Sequence, residues 1–326
     1  MRWGSGVVAA LGLLLAAAAH ADGGPGGGGF SIPPDPRIAT VARDAAPLWD
    51  WRDADLEREL QRSMKNLGLA RALDRRTLSV ALVDVTEPTR PRVAAIHGDH
   101  MFYAASLPKI AVMLAVFQKA HDGELSISGS VWEAMKAMIR RSSNRASTEL
   151  MHLVGKSYIA EVLADPRYRL YDPIHNGGLW AGKDYASAGL WRRDPLHDKS
   201  HGATTMQVAR FFYLLHTGRL VSPAASAQMK VLLADSEIDH KFVKGLKTTR
   251  PDAVVYRKAG TWQNWHADGA LIERGDGTTY IAVALTSDSR GRWWLPRIIV
   301  AMDRLVSRRR PASAAASPDA PEATAN

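Results

Sequence analysis

Ser106-Leu107-Pro108-Lys109 runs directly into the apolar stretch Ile110-Ala111-Val112-Met113-Leu114-Ala115-Val116-Phe117, and the fold is decided there. Proline suits the first turn of a helix, where its missing N–H has no partner to lose, so the stretch predicts a helix beginning beside Ser106. Lys109, three residues on, then shares a helix face with Ser106. Serine near a helix start is also favoured simply as a cap. The string is singular all the same, because no other serine in the chain has a lysine three places later.

Two further strings follow it in order. Ser142-Ser143-Asn144 lies in a polar break between helical patterns, Met138 to Leu150, where side chains can face a cleft or cap the helix expected near Ala146. Val254 to Trp262 alternates as a strand and contains Lys258-Ala259-Gly260-Thr261, with a glycine that permits close approach to the backbone. A serine hydroxyl is a poor nucleophile until a base takes its proton. Lys109 is the candidate base, provided burial or a second cation lowers its pKa, and Lys258 is the candidate second cation. Ser142 can relay a proton, Asn144 can pair with a substrate amide through both donor and acceptor, and Lys258 and Thr261 can attract a carboxylate. The backbone N–H groups of Thr261 and Ser106 form a candidate oxyanion hole.

Read together as S-x-x-K, S-x-N and K-x-G-T, these strings resemble the class A β-lactamase and penicillin-binding protein superfamily of serine hydrolases. The resemblance covers most of the chain. Ala203 to Ala209 is similar to that family's helix start after the omega loop, and Gly269 to Ile272 with Tyr280 to Thr286 to its last two strands. It implies Ser106 as the acylated nucleophile, Lys109 as its base partner, Ser142 as proton shuttle, Asn144 as the amide contact, and Lys258, Gly260 and Thr261 along the substrate edge. Four departures stand out. No glutamate occurs between Glu161 and Glu237, so the omega-loop acid of class A enzymes is missing, with Asp172 and Asp184 as its only suggested stand-ins. Ser143 replaces the middle aspartate, Ala259 replaces a hydroxyl residue, and the interval from Ser106 to Ser142 is short for class A.

The expected fold class is α/β in the α+β sense: an antiparallel five-stranded sheet flanked by N- and C-terminal helices, with an all-helical lobe at roughly 110–205 and the site in the cleft between. Asp53 to Leu67 has helical spacing, Thr77 to Asp84 and Arg92 to His97 read as strands, and Trp293 to Ser307 as the closing helix. The expected boundaries are 1–21 for a signal peptide, 22–45 for a Gly/Pro-rich flexible segment, 46–310 for the hydrolase domain and 311–326 for a disordered tail.

The 326 residues, 46% of them hydrophobic, suffice for a substantial core. The leader, with Ala19-His20-Ala21 at its end, predicts export, hence a periplasmic or secreted protein without a stable membrane anchor. With no cysteine there is no thiol nucleophile, disulfide or zinc–thiolate site. The net charge of +9 is dispersed and accompanied by no nucleic-acid signature, so nucleic acid is not expected as a partner. His197 and His201 lack the glutamate of a zinc-protease helix. The resulting expectation is a monomeric serine hydrolase without metal or cofactor, acting on a small-molecule or peptide amide, a β-lactam or peptidoglycan stem peptide. The alternatives are a D-alanyl-D-alanine peptidase of penicillin-binding type with slow deacylation, and a non-catalytic cell-wall binding module. Trp262 and Trp265 are candidate cleft walls.

Overall fold

A computed structural model describes residues 47–186 and 191–307. The expected signal peptide, the Gly/Pro-rich segment and the C-terminal tail lie outside the described residues.

Helix α1 (Ala54–Asn66) is capped by Asp53, whose carboxylate accepts the Leu56 N–H at 2.8 Å. Leu56, Leu60 and Met64 recur at four-residue spacing and form its buried stripe. After the short α2 (Ala70–Asp74), strands β1 (Leu78–Asp84) and β2 (Arg92–Ile96) form an antiparallel hairpin, and β3 (Phe102–Tyr103) leads to the Ser106 turn. Helices α3 (Lys109–His121), α4 (Gly129–Arg140), α5 (Asn144–Val154) and α6 (Lys156–Ala164) make up the helical lobe. Helix α3 runs through its middle, buried on all sides from Lys109 to Gln118, as an unbroken apolar run requires.

Among the described residues no α-helix lies between Ala164 and Thr205, only a 3-10 turn at Pro173–His175, whereas the sequence reading carried the helical lobe to about 205. The intervening segment carries short strands instead: β4 (Tyr171–Asp172) pairs with β5 (Gly177–Gly178), while β6 (Trp180–Ala181) and β3 both pair with β7 (His201–Ala203). Pro173, Gly177, Gly178, Gly182, Pro195 and Gly202 punctuate this stretch, which leaves no room for a helical period.

Helices α7 (Thr205–His216), α8 (Pro223–Leu233) and α9 (Phe242–Thr249) follow, then β8 (Val254–Trp262), β9 (Trp265–Glu273), β10 (Thr279–Thr286) and the closing α10 (Gly291–Ser307). The sheet order is β2-β1-β10-β9-β8, antiparallel throughout, as expected. Both faces are covered, which is why β1 and β10 read as almost continuous apolar runs. Successive side chains point to opposite faces. Ala81, Val83 and Val93 join one core with α3 and α7, while Val80, Leu82 and Ala94 join another with α1 and α10.

That alternation positions the site. The register aligns Lys258 with Gly269, Val283, Ala81 and Ala95, so Lys258 belongs to the row facing the lobe and α7. Arg257 aligns with Ala270, Ala282, Leu82 and Ala94, in the row facing α1 and α10. Strand β8 is an edge of the sheet, and its middle, Arg257 to Gly260, is buried.

Candidate active site

Ser106 sits in the tight turn that feeds α3, between the Leu107 N–H bond to Ala104 O at 3.0 Å and the Lys109 N–H bond to Ser106 O at 3.3 Å. Helix α3 opens at Lys109 with Pro108 before it and no side-chain cap, so the serine is not spent on capping. Among the described residues the Ser106 hydroxyl has no hydrogen-bond partner, and the side chain is partly exposed. Gly260 explains how β8 approaches it. A Cβ at that position would stand 2.1 Å from Ala104 O and 2.9 Å from the backbone nitrogens of Ser106 and Leu107, so only glycine lets the strand lie against the turn.

Two lysine amines converge on Ser142. Lys109 Nζ donates to Ser142 O at 2.7 Å and Asn144 Oδ1 at 2.8 Å, with a longer contact to Ser142 Oγ at 3.4 Å. Lys258 Nζ donates to Ser142 Oγ at 2.9 Å and Ala259 O at 3.0 Å. The Ser142 hydroxyl therefore bridges both amines as an acceptor, which leaves its own proton to be donated elsewhere. Burial removes water from Lys109, 0% exposed, and brings its pKa down to about 7. Burial also drives Lys258 well below its ordinary value, reinforced by the Lys109 charge and by Arg257. Of the two causes anticipated for Lys109, burial is the one that dominates.

The Ser142-Ser143-Asn144 string divides its labour. Ser143 caps α5, its hydroxyl accepting the Ala146 N–H at 3.2 Å, while Asn144 opens the helix and Ser142 adopts φ +58° just before it. Capping and cleft-facing roles thus belong to different residues of one string. A non-glycine residue held in the left-handed region costs about 1 kcal/mol, a strain that recurs at functional sites. Ala105, immediately before Ser106, is in the same region at φ +50°.

The proposed stand-ins for the missing acid have other partners. Asp172 accepts from Arg169 at 2.6 Å and caps the turn Pro173–His175 through the Ile174 N–H at 3.0 Å. Asp184 lies 2.7 Å from Lys156 Nζ and 2.9 Å from His152 Nε2. Burial alone pushes the Asp184 carboxyl up, but the hydrogen bonds from Lys156 and His152 outweigh it and hold it below its usual range. His197 and His201, four apart in sequence, also diverge: His197 Nε2 meets Asn176 Oδ1 at 3.0 Å, whereas His201 stacks on Tyr185 with centroids 4.1 Å apart.

Two participants escaped the sequence reading. Lys241, just before α9, is buried and donates to Gly260 O at 2.5 Å, Thr261 Oγ1 at 2.7 Å and Ala267 O at 3.1 Å. Burial brings its pKa to about 7. Three acceptors match the three protons of an ammonium, and the Thr261 hydroxyl, having accepted one, is left to donate outward. Tyr185 lies with its ring 4.6 Å from Lys109 Nζ. No local signal marks either residue, because both reach the site through tertiary packing. Trp262 stays 51% exposed beside Thr261 and meets Tyr103 edge-on at 5.6 Å, and Trp265 lies 5.9 Å from Tyr103.

This architecture is shared with solved structures. A beta-lactamase from Sphaerobacter thermophilus superposes with a TM-score of 0.58 at 19% identity, over 76% of this chain and 99% of that one. PBP-A superposes with a TM-score of 0.58 at 14% identity, over 79% and 97%. A beta-lactamase from Chitinophaga pinensis gives 0.57 at 16%, over 75% and 97%. No curated protein sequence matches the chain. The sequence profile of the beta-lactamase enzyme family matches residues 56–130 and 127–305, and the chain belongs to that family.

Proposed function

We propose that the protein is a serine hydrolase in which Ser106 attacks an amide carbonyl and forms an acyl-enzyme. The observation that carries this reading is the Lys109–Ser142–Lys258 bridge beside a serine whose hydroxyl is unengaged. In the proposed sequence an amine of the pair, neutral near pH 7, takes the Ser106 proton as Oγ bonds to the carbonyl carbon. The backbone N–H groups of Ser106 and Thr261 stabilise the resulting oxyanion. Ser142 then protonates the leaving nitrogen and is reprotonated by the lysines. Asn144 and Thr261 orient the substrate amide and carboxylate, with Lys258 supplying positive charge.

The substrate class we propose is a β-lactam or a peptidoglycan-type peptide amide. A second reading, a penicillin-binding type peptidase with slow deacylation, is favoured by the ion pairs that occupy Asp172 and Asp184. A variant of the fold relative PBP-A was captured as an acyl-enzyme with penicillin G, which makes that compound a fitting probe. The proposal includes export by the leader to the periplasm or beyond, and action as a monomer without a membrane anchor. Among the described residues no helix is long and apolar enough to cross a membrane.

The test is the intact mass of the protein at successive times after mixing with penicillin G, beside Ser106→Ala, while ring opening is followed. A persistent adduct on the wild type alone supports acylation with slow release. Rapid ring loss without adduct supports a β-lactamase. Binding that survives Ser106→Ala, with neither adduct nor ring loss, would make the protein a binding module and overturn the proposal.

A further inference from the structure

Helix α5 carries a stripe that ties down a strap over the site. Asn144, at its start, receives the Lys109 amine. One turn on, Thr148 Oγ1 accepts the backbone N–H of Tyr185 at 3.0 Å and of Ala186 at 2.9 Å. A further turn on, His152 holds Asp184, which Lys156 at the start of α6 grips from its other oxygen. Residues four apart share a helix face, so residues 184–186 are fastened at successive points along one edge. Tyr185 projects from that strap. Its ring lies against Lys109 Nζ, stacks on His201 at an interplanar angle of 4°, and its hydroxyl reaches Ala105 O, next to the nucleophile, at 3.4 Å.

We propose that Tyr185 is a positioning residue that roofs the Lys109 amine against water, and that Asp184 anchors the strap carrying it and is not a water-activating base. The inference rests on the reading of Lys109 as part of the base pair. An aromatic face does two opposed things to an amine: its quadrupole favours the ammonium, while its bulk excludes the water that an ammonium needs. Burial is what lowers Lys109 to about 7, and the Tyr185 ring, 4.6 Å from the amine, is part of the surface that buries it. The other groups facing Lys109 are Lys258 on β8, whose amine shares Ser142 Oγ with it, and His201 on β7. Burial holds His201 at about 3, so it backs the Tyr185 ring as a neutral imidazole. The α5 side offers the uncharged Asn144. Removing the ring opens the amine to water without removing any hydrogen bond that Lys109 makes.

The experiment measures the single-turnover acylation rate with penicillin G from pH 5 to 10 for the wild type, Tyr185→Phe, Tyr185→Ala and Asp184→Asn, with thermal melting of each. Tyr185→Phe keeps the ring and is expected to overlay the wild type. Tyr185→Ala is expected to move the acid limb upward by about one pH unit, with the alkaline plateau kept within a few-fold. Asp184→Asn, isosteric and informative even if Tyr185→Ala fails to fold, is expected to move the limb the same way by less. An acid limb that stays in place or moves down in Tyr185→Ala overturns the roof. Slowed deacylation with an unmoved acylation limb in Asp184→Asn overturns the anchor and restores the base role. Carbon NMR titration of Lys109 Cε in the wild type and Asp184→Asn reads the amine directly. A protein that penicillin does not acylate would therefore defeat the proposed function, while the roof would still be judged on the titration.

Discussion

Arg257 and Lys258 are neighbours on one strand, both cationic and both buried, and the sheet turns them to opposite faces with opposite company. Arg257 faces α1 and α10 and is matched by a carboxylate: its Nε meets Asp268 Oδ1 at 3.0 Å and a terminal nitrogen meets Oδ2 at 2.9 Å. Its remaining protons go to Ile238 O, Ser236 Oγ and His240 Nδ1, and Asp268 Oδ2 also accepts the Phe242 N–H. Lys258 faces the helical lobe, and its bonds go to uncharged oxygens, Ser142 Oγ and Ala259 O. A buried cation has two ways to avoid the cost of leaving water: pair with an anion, or give up its proton. Arginine does not deprotonate in proteins and takes the first, whereas a buried lysine with no bonded anion has its pKa driven down, as burial does to Lys258. The comparison teaches that the sheet keeps a paired buried charge on one face and a buried amine without a bonded anion on the other, and the proposed chemistry uses the second.

The most severe way to break that comparison is to swap the consequences. Asp268→Asn leaves Arg257 buried without its partner and is expected to cost roughly 3–5 kcal/mol of stability, with the acylation rate per folded molecule retained within a few-fold. Lys258→Met is expected to do the reverse, lowering acylation by roughly 10²–10⁴-fold with little loss of stability. Denaturant melts and single-turnover acylation on both variants check the pair. Loss of stability without loss of rate in Lys258→Met would reverse the roles assigned to the two faces.

A smaller effect sharpens the same point through pH. The folded-state pKa of Lys109, about 7, lies below its ordinary value of 10.5, so between those values the unfolded chain holds more protons. Stability conferred through this group therefore falls as pH drops across that window, the reverse of a lysine that gains an anionic partner. Lys109→Met lacks the titration. Its melting temperature relative to wild type is expected to rise as pH is lowered from about 10 to 7, while its acylation is lost. A difference that is flat with pH would mean that the amine is not desolvated.

The strand bearing Lys258 was legible as residues 254–262 from its β-branched and aromatic residues and the glycine near its end, and the Ser106 helix because an apolar run behind a proline admits few other readings. The three polar strings were legible as candidates because each is local, and the fold brings Lys109, Ser142, Asn144 and Lys258 together. Which hydroxyl of Ser142 and Ser143 would cap α5 was not, since the choice depends on the left-handed backbone at Ser142. Lys241 and Tyr185 were illegible for a different reason: their partners are far away in sequence, and only the topology brings them together. Asp172 and Asp184 show the converse. Their residue type suggested a base, but Arg169, Lys156 and His152, which occupy them, are known only from packing. Between 165 and 204 the strands are two or three residues long, too short for any period to register.

The account stands most directly on the pH dependence of acylation by penicillin G in the wild type beside Lys109→Met. It predicts a wild-type rate that rises through an apparent pKa near 7, matching the buried amine, and a variant without that rise. A wild-type rate that climbs only near the ordinary lysine pKa, or a Lys109→Met variant that keeps the wild-type profile, would contradict it.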